Sequence, residues 1–537
     1  MSWDYIIVGA GSAGCAVAHR LSADPKNKVL LLEAGGSHHS PLVTIPAGEA
    51  RAIGNPKFDW RFETEPDPTV GGRQDVWPRG KVLGGSSSIN GMMWIRGQRE
   101  DYDGWAQLGN RGWSYADVLP YFRRSETSDI EDAQHHGDEG PVAVSSISTP
   151  HPLAKVFIAA GMEIGLPYNP DFNGAQQEGV GPIQGNIRRG RRMSTARSYL
   201  DPIRSRPNLK IVTQATVHRV LIEHGRAVGV VYARAGSAPI EVRCNGEVVL
   251  SAGTLASPLI LMRSGIGPAA HLASHGLKTV NDLPGVGQNL QEHAAVWNSI
   301  YVNISTYNTE LAPHKWAVHG LNWLLFGRGP ASTPIAHAGA FIKTRPELTS
   351  PDVQFCFIPT GYKLHEHGLE LLDRPSIVLG IYKCRPESVG HVELRSADPD
   401  APPRIFARLL GAQEDIDATV AALKVARRMF ATLAFRPYFE GMCSPGPEMQ
   451  SDAELEAYVR QTAGPAYHPV GTCRMGPDPM AVVDDRLRVR GIMGLRVADA
   501  SVMPRMPSGN TNAPSVMIGE KAADLITEDN RLYRDVP

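Results

Sequence analysis

The stretch AYHPVGTCRMG (466–476) sets one histidine between an aromatic residue and a proline, ahead of a turn of small residues. Imidazole is the side chain whose ordinary pKa lies nearest neutrality, so His468 is the candidate for a general base. Asn512 stands forty-four positions later (512 − 468), within SGNTNAPSV and directly before Ala513-Pro514 and a helical run. Its side-chain oxygen suits an N-cap, with Pro514 tolerated in the first turn. On these residues alone a structural histidine and a helix cap stay open.

A second group of residues points to a phosphate-bearing ligand. Gly9-Ala-Gly11-Ser12-Ala-Gly14 follows an apolar run and opens a helical one, and Glu33 ends the next apolar run nineteen positions beyond Gly14 (33 − 14). Gly9 permits the tight turn, Gly11 lets backbone amides approach a pyrophosphate, and Gly14 allows close helix–strand packing. Glu33 would accept hydrogen bonds from ribose hydroxyls, which argues against a 2′-phosphate. The fingerprint does not by itself choose between FAD and NAD.

The elements that must position these groups begin at once. Residues 4–9 form a strand, 12–22 a helix and 28–33 a second strand, the opening of a parallel α/β sheet. EVVLSAG (247–253) leading into a helix at 256–263, and LRVAD (495–499) before a last helix over 513–526, read as further members of that sheet. Between 300 and 460, DVQFCFIP, SIVLGIYKC and GHVELRS are short β-rich runs whose spacing predicts antiparallel pairing. The expected fold class is α/β (α+β overall): a Rossmann-like nucleotide-binding domain with an inserted substrate domain on a mostly antiparallel sheet. The expected division is 1–155, 196–300 and 463–537 for the first domain, and 156–195 and 301–462 for the second.

Composition excludes several classes. Lys+Arg 54 against Asp+Glu 55 leaves no net field for nucleic acid. Six cysteines without CxxC spacing indicate neither a disulfide framework nor a thiolate metal site. Neither a signal peptide nor a spanning apolar stretch is legible, so a cytoplasmic location is expected, with room for peripheral contact at the inner membrane. The pairs His38-His39 and His135-His136 lack metal-site spacing and are expected in surface loops, with no metal.

GKVLGGSSSINGMMWIRGQREDYD (80–103) and GTLASPLILMRSGIG (253–267) resemble the two signature stretches of the glucose–methanol–choline (GMC) family of FAD-dependent oxidoreductases. With the glycine fingerprint and HPVGTCRMG…NTNAP, the resemblance spans essentially the whole chain and extends to bacterial choline, sorbose and alcohol dehydrogenases. It implies FAD as the cofactor, held by Gly9, Gly11, Ser12, Gly14, Glu33, Ala34, Arg79, Gly84, Gly85, Ser86, Asn90, Gly91, Met92, Val217, Ala252, Asp499, Ala500, Asn512 and Ala513. Some members carry a flavin-linked histidine at the place of Ile89, and isoleucine implies non-covalent FAD.

The resemblance also implies catalysis by His468 and Asn512, with Tyr467 and Ala466 lining the substrate pocket. His468 would take the proton of a small alcohol as a hydride passes to flavin N5. The partners implied are that alcohol and a quinone-like acceptor; oligomeric state is not legible. An oxygen-using oxidase, or an FAD-containing hydroxynitrile lyase, is the alternative. Which alcohol is oxidised, whether choline, polyol or primary alcohol, is open.

Overall fold

The computed structural model describes residues 2–310, 313–365 and 368–534. The first expected unit forms at the start of the chain. Strand Trp3–Val8 leads through Gly9 into helix Ser12–Leu21 and back along strand Val29–Leu32, parallel to the first. The strand stops at Val8 because Gly9 takes φ +98°, and a Cβ there would lie 2.4 Å from the Ser251 carbonyl oxygen.

Seven strands make up this sheet, in the order Leu209–Val212, Val29–Leu32, Trp3–Val8, Ile240–Leu250, Arg226–Arg234, Ala215–Glu223, with Leu495–Val497 attached to Ile240–Leu250. Ile240–Leu250 serves two partners. Residues 240–243 pair antiparallel with 229–232, while 247–250 run parallel to 5–8. Three distant segments therefore converge on one carboxyl-terminal edge, where ligands of open α/β sheets bind.

The second sheet also has seven strands, in the order Phe439–Ser444, Ala294–Val302, Ser376–Lys383, Val353–Ile358, Ala338–Ile342, Gly179–Pro182, with Gly464–Pro465 pairing beside Ala294. All its pairings are antiparallel, as the alternating runs require. Alternation along Val353–Ile358 sorts its two faces: Phe355 and Phe357 join the main core, whereas Cys356 and Ile358 face a smaller cluster with Met93, Tyr362 and Tyr382. Helices Gln413–Phe430 and Pro152–Glu163 cover the first face. The other face looks into the cavity described below.

His391–Glu393, within GHVELRS, pairs antiparallel as expected, with Arg404–Phe406, in a hairpin separate from the large sheet. Two other expectations are corrected. The histidine pairs are not both surface loops: His38, His135 and His136 are buried and only His39 is exposed. Carboxylates make that burial tolerable. His136 lies between Glu126 (2.7 Å) and Asp171 (2.8 Å), which together lift its pKa to about 9 against the desolvation, and His38 Nε2 meets Asp201 at 3.1 Å. Strand Ala294–Val302 crosses the boundary expected at residue 300, so the antiparallel sheet starts earlier than its sequence texture suggests.

Candidate active site

A cavity of about 2860 Å³ runs from the glycine fingerprint to His468, between the two sheets. Of the expected site residues, Gly9, Gly11, Ser12, Glu33, Ala34, Arg79, Gly85, Ser86, Asn90, Gly91, Val217, Ala252, Ala466, Tyr467, His468, Asp499, Ala500 and Asn512 line it. Gly14, Gly84, Met92 and Ala513 do not. Gly14 lies behind the wall, where a Cβ would meet the Gly9 carbonyl oxygen at 2.0 Å. Gly84 gives its N–H to Ala10 O at 2.7 Å, and Met92 and Ala513 are packed in the interior.

The nucleotide end is open in the way a dinucleotide requires. A Cβ at Gly11 would touch only Ser251 O, at 3.9 Å, and so would enter the cavity and not the protein. Helix Ser12–Leu21 has no acidic residue in its first turn to compete for an anion, and His19 and Arg20 suit its last turn. Glu33 lies in the cavity wall with Oε2 accepting from Ala10 N and Oε1 from Gly35 N, both at 2.8 Å. Burial raises its pKa to about 7 despite those amides. Asp499 braces the adjoining turn, accepting from Gly253 N, Ser257 Oγ and Ser501 N at 2.6–2.9 Å. Asn512 Oδ1 accepts from Ser12 Oγ at 2.8 Å, while its Nδ2 is buried with no partner in the protein. An orphaned donor in the wall, a glycine-lined approach and a free helix N-terminus fit the FAD that the sequence implies.

At the His468 end the structure corrects the pairing expected from sequence. The asparagine at His468 is Asn510: its Nδ2 lies 3.0 Å from His468 Nε2. Asn512 lies two positions further, in the first turn of helix Asn512–Arg534, and turns toward Ser12 instead. A repeated Asn-x-Asn offers two amides, and the helix start decides which one reaches the histidine.

A second histidine, unremarked in the sequence, fixes the proton on the first. His293 Nε2 lies 2.8 Å from the Cys384 carbonyl oxygen, and His293 Nδ1 lies 3.0 Å from His468 Nδ1. A carbonyl only accepts, so His293 carries its proton on Nε2 and presents a bare Nδ1. His468 Nδ1–H then donates to it, which leaves the lone pair of His468 on Nε2, facing Asn510. Burial holds His293 at about 4, and burial, His293 and Arg79 hold His468 well below the usual imidazole range. Both rings are neutral at pH 7, and His468 Nε2 is a ready proton acceptor.

Glu292 fastens this pair by its backbone, with Oε1 accepting from His293 N (3.0 Å) and His468 N (2.7 Å). Burial lifts its carboxyl to about 8, opposed first by Arg79, whose Nη2 donates to Tyr467 O at 2.7 Å. Tyr467 itself adopts φ +68°, a strained conformation of the kind that gathers at functional sites. The signal that would have revealed this group is LQEHAAV, where three polar residues head an apolar strand and must be satisfied inside.

Beyond the imidazole the wall is aromatic and apolar. Tyr382 stands 5.9 Å from His468 between ring centroids, Trp297 packs edge-on to Tyr362, and Met93, Cys356 and Ile358 complete the surface. Glu33 and Asp499 belong to the nucleotide end of the wall, while Asp59 and Asp75, with Arg79 and Glu292, act on Tyr467 beside His468. Glu49 is partly buried beside Gly91, where a Cβ would lie 3.6 Å from its Oε1; it acts on Tyr362 and has Arg192 at 3.9 Å.

Comparison with known proteins agrees with this architecture. Residues 3–295 match the N-terminal and residues 386–519 the C-terminal model of GMC oxidoreductases. The chain is 43% identical to an alcohol dehydrogenase (acceptor) of Pseudomonas putida, over 98% of this chain and 95% of that one. It is 41% identical to an oxygen-dependent choline dehydrogenase of Brucella anthropi, over 99% and 97%. Among solved structures, pyridoxine 4-oxidase from Mesorbium loti superposes with a TM-score of 0.89 at 30% identity, covering 98% of this chain and 99% of that one.

Proposed function

The chain belongs to the GMC oxidoreductase family, and from that premise we propose that it is an FAD-dependent dehydrogenase of small, uncharged alcohols. When bound, FAD supplies the hydride acceptor. Gly11 and Ser12 would hold its pyrophosphate, Glu33 its ribose and Val217 its adenine. The proposed division of labour gives residues 1–155, 196–293 and 466–537 to cofactor binding and 156–195 and 294–465 to the substrate. Ile89 lines the cavity and has no nucleophilic atom, so the cofactor is held without a covalent bond there.

The observation that carries the reading is the chain Asn510, His468, His293, Cys384. An alcohol oxygen that meets both His468 Nε2 and Asn510 Nδ2, taking the place of their mutual contact, gives its O–H to the imidazole and accepts from the amide. His468 takes that proton as the carbinol carbon loses its hydride, and the product is an aldehyde or ketone. The proton resides on Nε2 of an imidazolium whose Nδ1–H is already bonded to His293. Electrons then leave to a quinone-like acceptor. A hydroxynitrile lyase reading has no comparable support, because relatives at 41–43% identity are named as dehydrogenases and a solved neighbour at 30% as an oxidase.

The wall is read as favouring an uncharged substrate. A hydrocarbon gains from burial against Trp297, Tyr362 and Tyr382; the same rings would attract a quaternary ammonium through their faces, but Glu49, the carboxylate that acts on Tyr362, already faces Arg192 at 3.9 Å. The experiment is anaerobic reduction of the bound flavin by choline and by 3,3-dimethylbutan-1-ol, its neutral isostere. The neutral alcohol should bleach the flavin with the higher kcat/KM. Faster reduction by choline would overturn the substrate class, and no bleaching by any alcohol would overturn the dehydrogenase reading.

A further inference from the structure

Helix Pro313–Phe326 is polar on the wrong side. Its sequence, PHKWAVHGLNWLLF, has no acidic residue, and from Glu310 to Glu347 the chain carries none. At 100° per residue, Ala317, Val318, Leu321, Leu324 and Leu325 share one face. That face is the exposed one: Val318 is 57%, Leu321 55%, Leu324 68% and Leu325 61% accessible. Lys315 and His319 turn inward, where Lys315 Nζ and His319 Nε2 meet Glu310 at 3.0 and 3.3 Å, and Trp323 Nε1 donates to Gly190 O at 2.6 Å, while His314 and Asn322 stay exposed. A surface helix ordinarily shows the opposite arrangement, and a contiguous apolar face of this kind marks an interaction site.

The rim of the patch is cationic. Gly190 lies in a hairpin that exposes Arg188, Arg189 and Arg191, the last with its guanidinium 5.8 Å from the Trp323 ring centre, and exposed Arg328 follows the helix. Gly327 packs on the same hairpin, where a Cβ would sit 2.7 Å from Arg189 O. Glu310, just before the helix, is already paired with Lys315 and His319.

We propose that this helix lies in the surface of an anionic lipid bilayer, its leucine face among the acyl chains and the arginines among the head groups. Charge decides this against a second copy of the chain. A two-fold pairing would set arginine against arginine, whereas anionic head groups neutralise the whole rim. Placement gives the contact a use: Ile335, nine residues past the helix (335 − 326) and 39% exposed, lines the cavity, so the membrane would bring lipid-dissolved alcohols or a quinone to its wall.

The test is co-sedimentation of the holoenzyme with vesicles of phosphatidylglycerol and phosphatidylcholine, against phosphatidylcholine alone. The wild type should pellet with the anionic vesicles and be released by salt. Leu321→Glu/Leu325→Glu and, independently, Arg188→Glu/Arg189→Glu should each bind at least ~10-fold less. Flavin content, and turnover of a water-soluble alcohol with a soluble dye, should not change in either variant. Failure of the wild type to bind anionic vesicles, or undiminished binding by both variants, would overturn the proposal. So would a dimer in light scattering that Leu321→Glu/Leu325→Glu dissociates while vesicles bind neither form. Vesicle binding is read without turnover, so its failure leaves the roles of His468 and Asn510 untouched.

Discussion

Replacing His293 by leucine should slow flavin reduction without loosening the cofactor or the alcohol. The leucine keeps an apolar volume but removes the acceptor for His468 Nδ1–H. That N–H would then be unpartnered in a buried site, at a cost of ~1–3 kcal/mol. The ring escapes the cost by moving its proton to Nε2, toward Asn510, where an amide turned end for end can accept it. Only the unconverted fraction can take a substrate proton, so the limiting rate of reduction should fall roughly 5- to 150-fold. Stopped-flow reduction under anaerobic conditions separates that rate from the dissociation constant for alcohol, which should stay near the wild-type value. His293→Gln offers an oxygen to His468 and an N–H toward Cys384 O, and should recover part of the loss. His293 is a positioning residue, and a purely structural role would lower flavin content and alcohol affinity together. A His293→Leu enzyme that reduces its flavin at the wild-type rate would refute the assignment of the proton to Nδ1.

His468→Ala should cut flavin reduction at least ~100-fold while retaining FAD, the usual contribution of a general base; loss of the cofactor would make the residue structural. Because burial and its neighbours depress the His468 pKa, protonation should abolish activity only well below pH 6.5, so kcat/KM measured from pH 8 downward should stay level through 6.5. Asn510→Ala should lower the reduction rate by about 10-fold or more through loss of one hydrogen bond to the reacting oxygen, whereas Asn512→Ala should chiefly reduce flavin content; the reverse pattern, read by absorbance and stopped flow, would restore Asn512 as the catalytic partner. Gly11→Val should yield folded protein without flavin, since its side chain meets open cavity and little protein.

The nucleotide end was legible because its constraints are local. Gly9, Gly14 and Glu33 act through a turn, a packing contact and a strand end that lie within one strand–helix–strand unit, so spacing conveys them. The catalytic end depends on contacts between residues 42 to 175 positions apart, which spacing does not encode. His468 could be named from its chemistry, but choosing Asn510 over Asn512 needed the phase of a helix start. His293 was hidden for a related reason: its partners, His468 and Cys384, come from a loop and a strand end elsewhere in the sequence. The buried histidines at 38 and 136 were misjudged because their carboxylate partners are 10 to 163 positions away, whereas His135 pairs with Asp132, only three positions before it.

The two ends of the chain meet across the cofactor cavity, and this sets the order in which the enzyme can mature. Helix Ser12–Leu21 packs on helix Asn512–Arg534 so closely that a Cβ at Gly519 would lie 2.4 Å from Ala13 O. Arg20, Arg124 and Tyr199 all bond the fully buried Glu520. During synthesis the glycine fingerprint leaves the ribosome about 500 residues before the segment that closes it, at ~5–20 residues per second. For about 25–100 s the first helix has an apolar flank, and Arg20 and Arg124 are without Glu520. Flavin captured in that interval would meet neither Asn512 nor His468, so productive loading belongs to the finished chain. Nascent protein is in that interval a client for chaperones, and a fusion or deletion that disturbs helix Asn512–Arg534 would be expected to leave apoprotein and not a weakened enzyme.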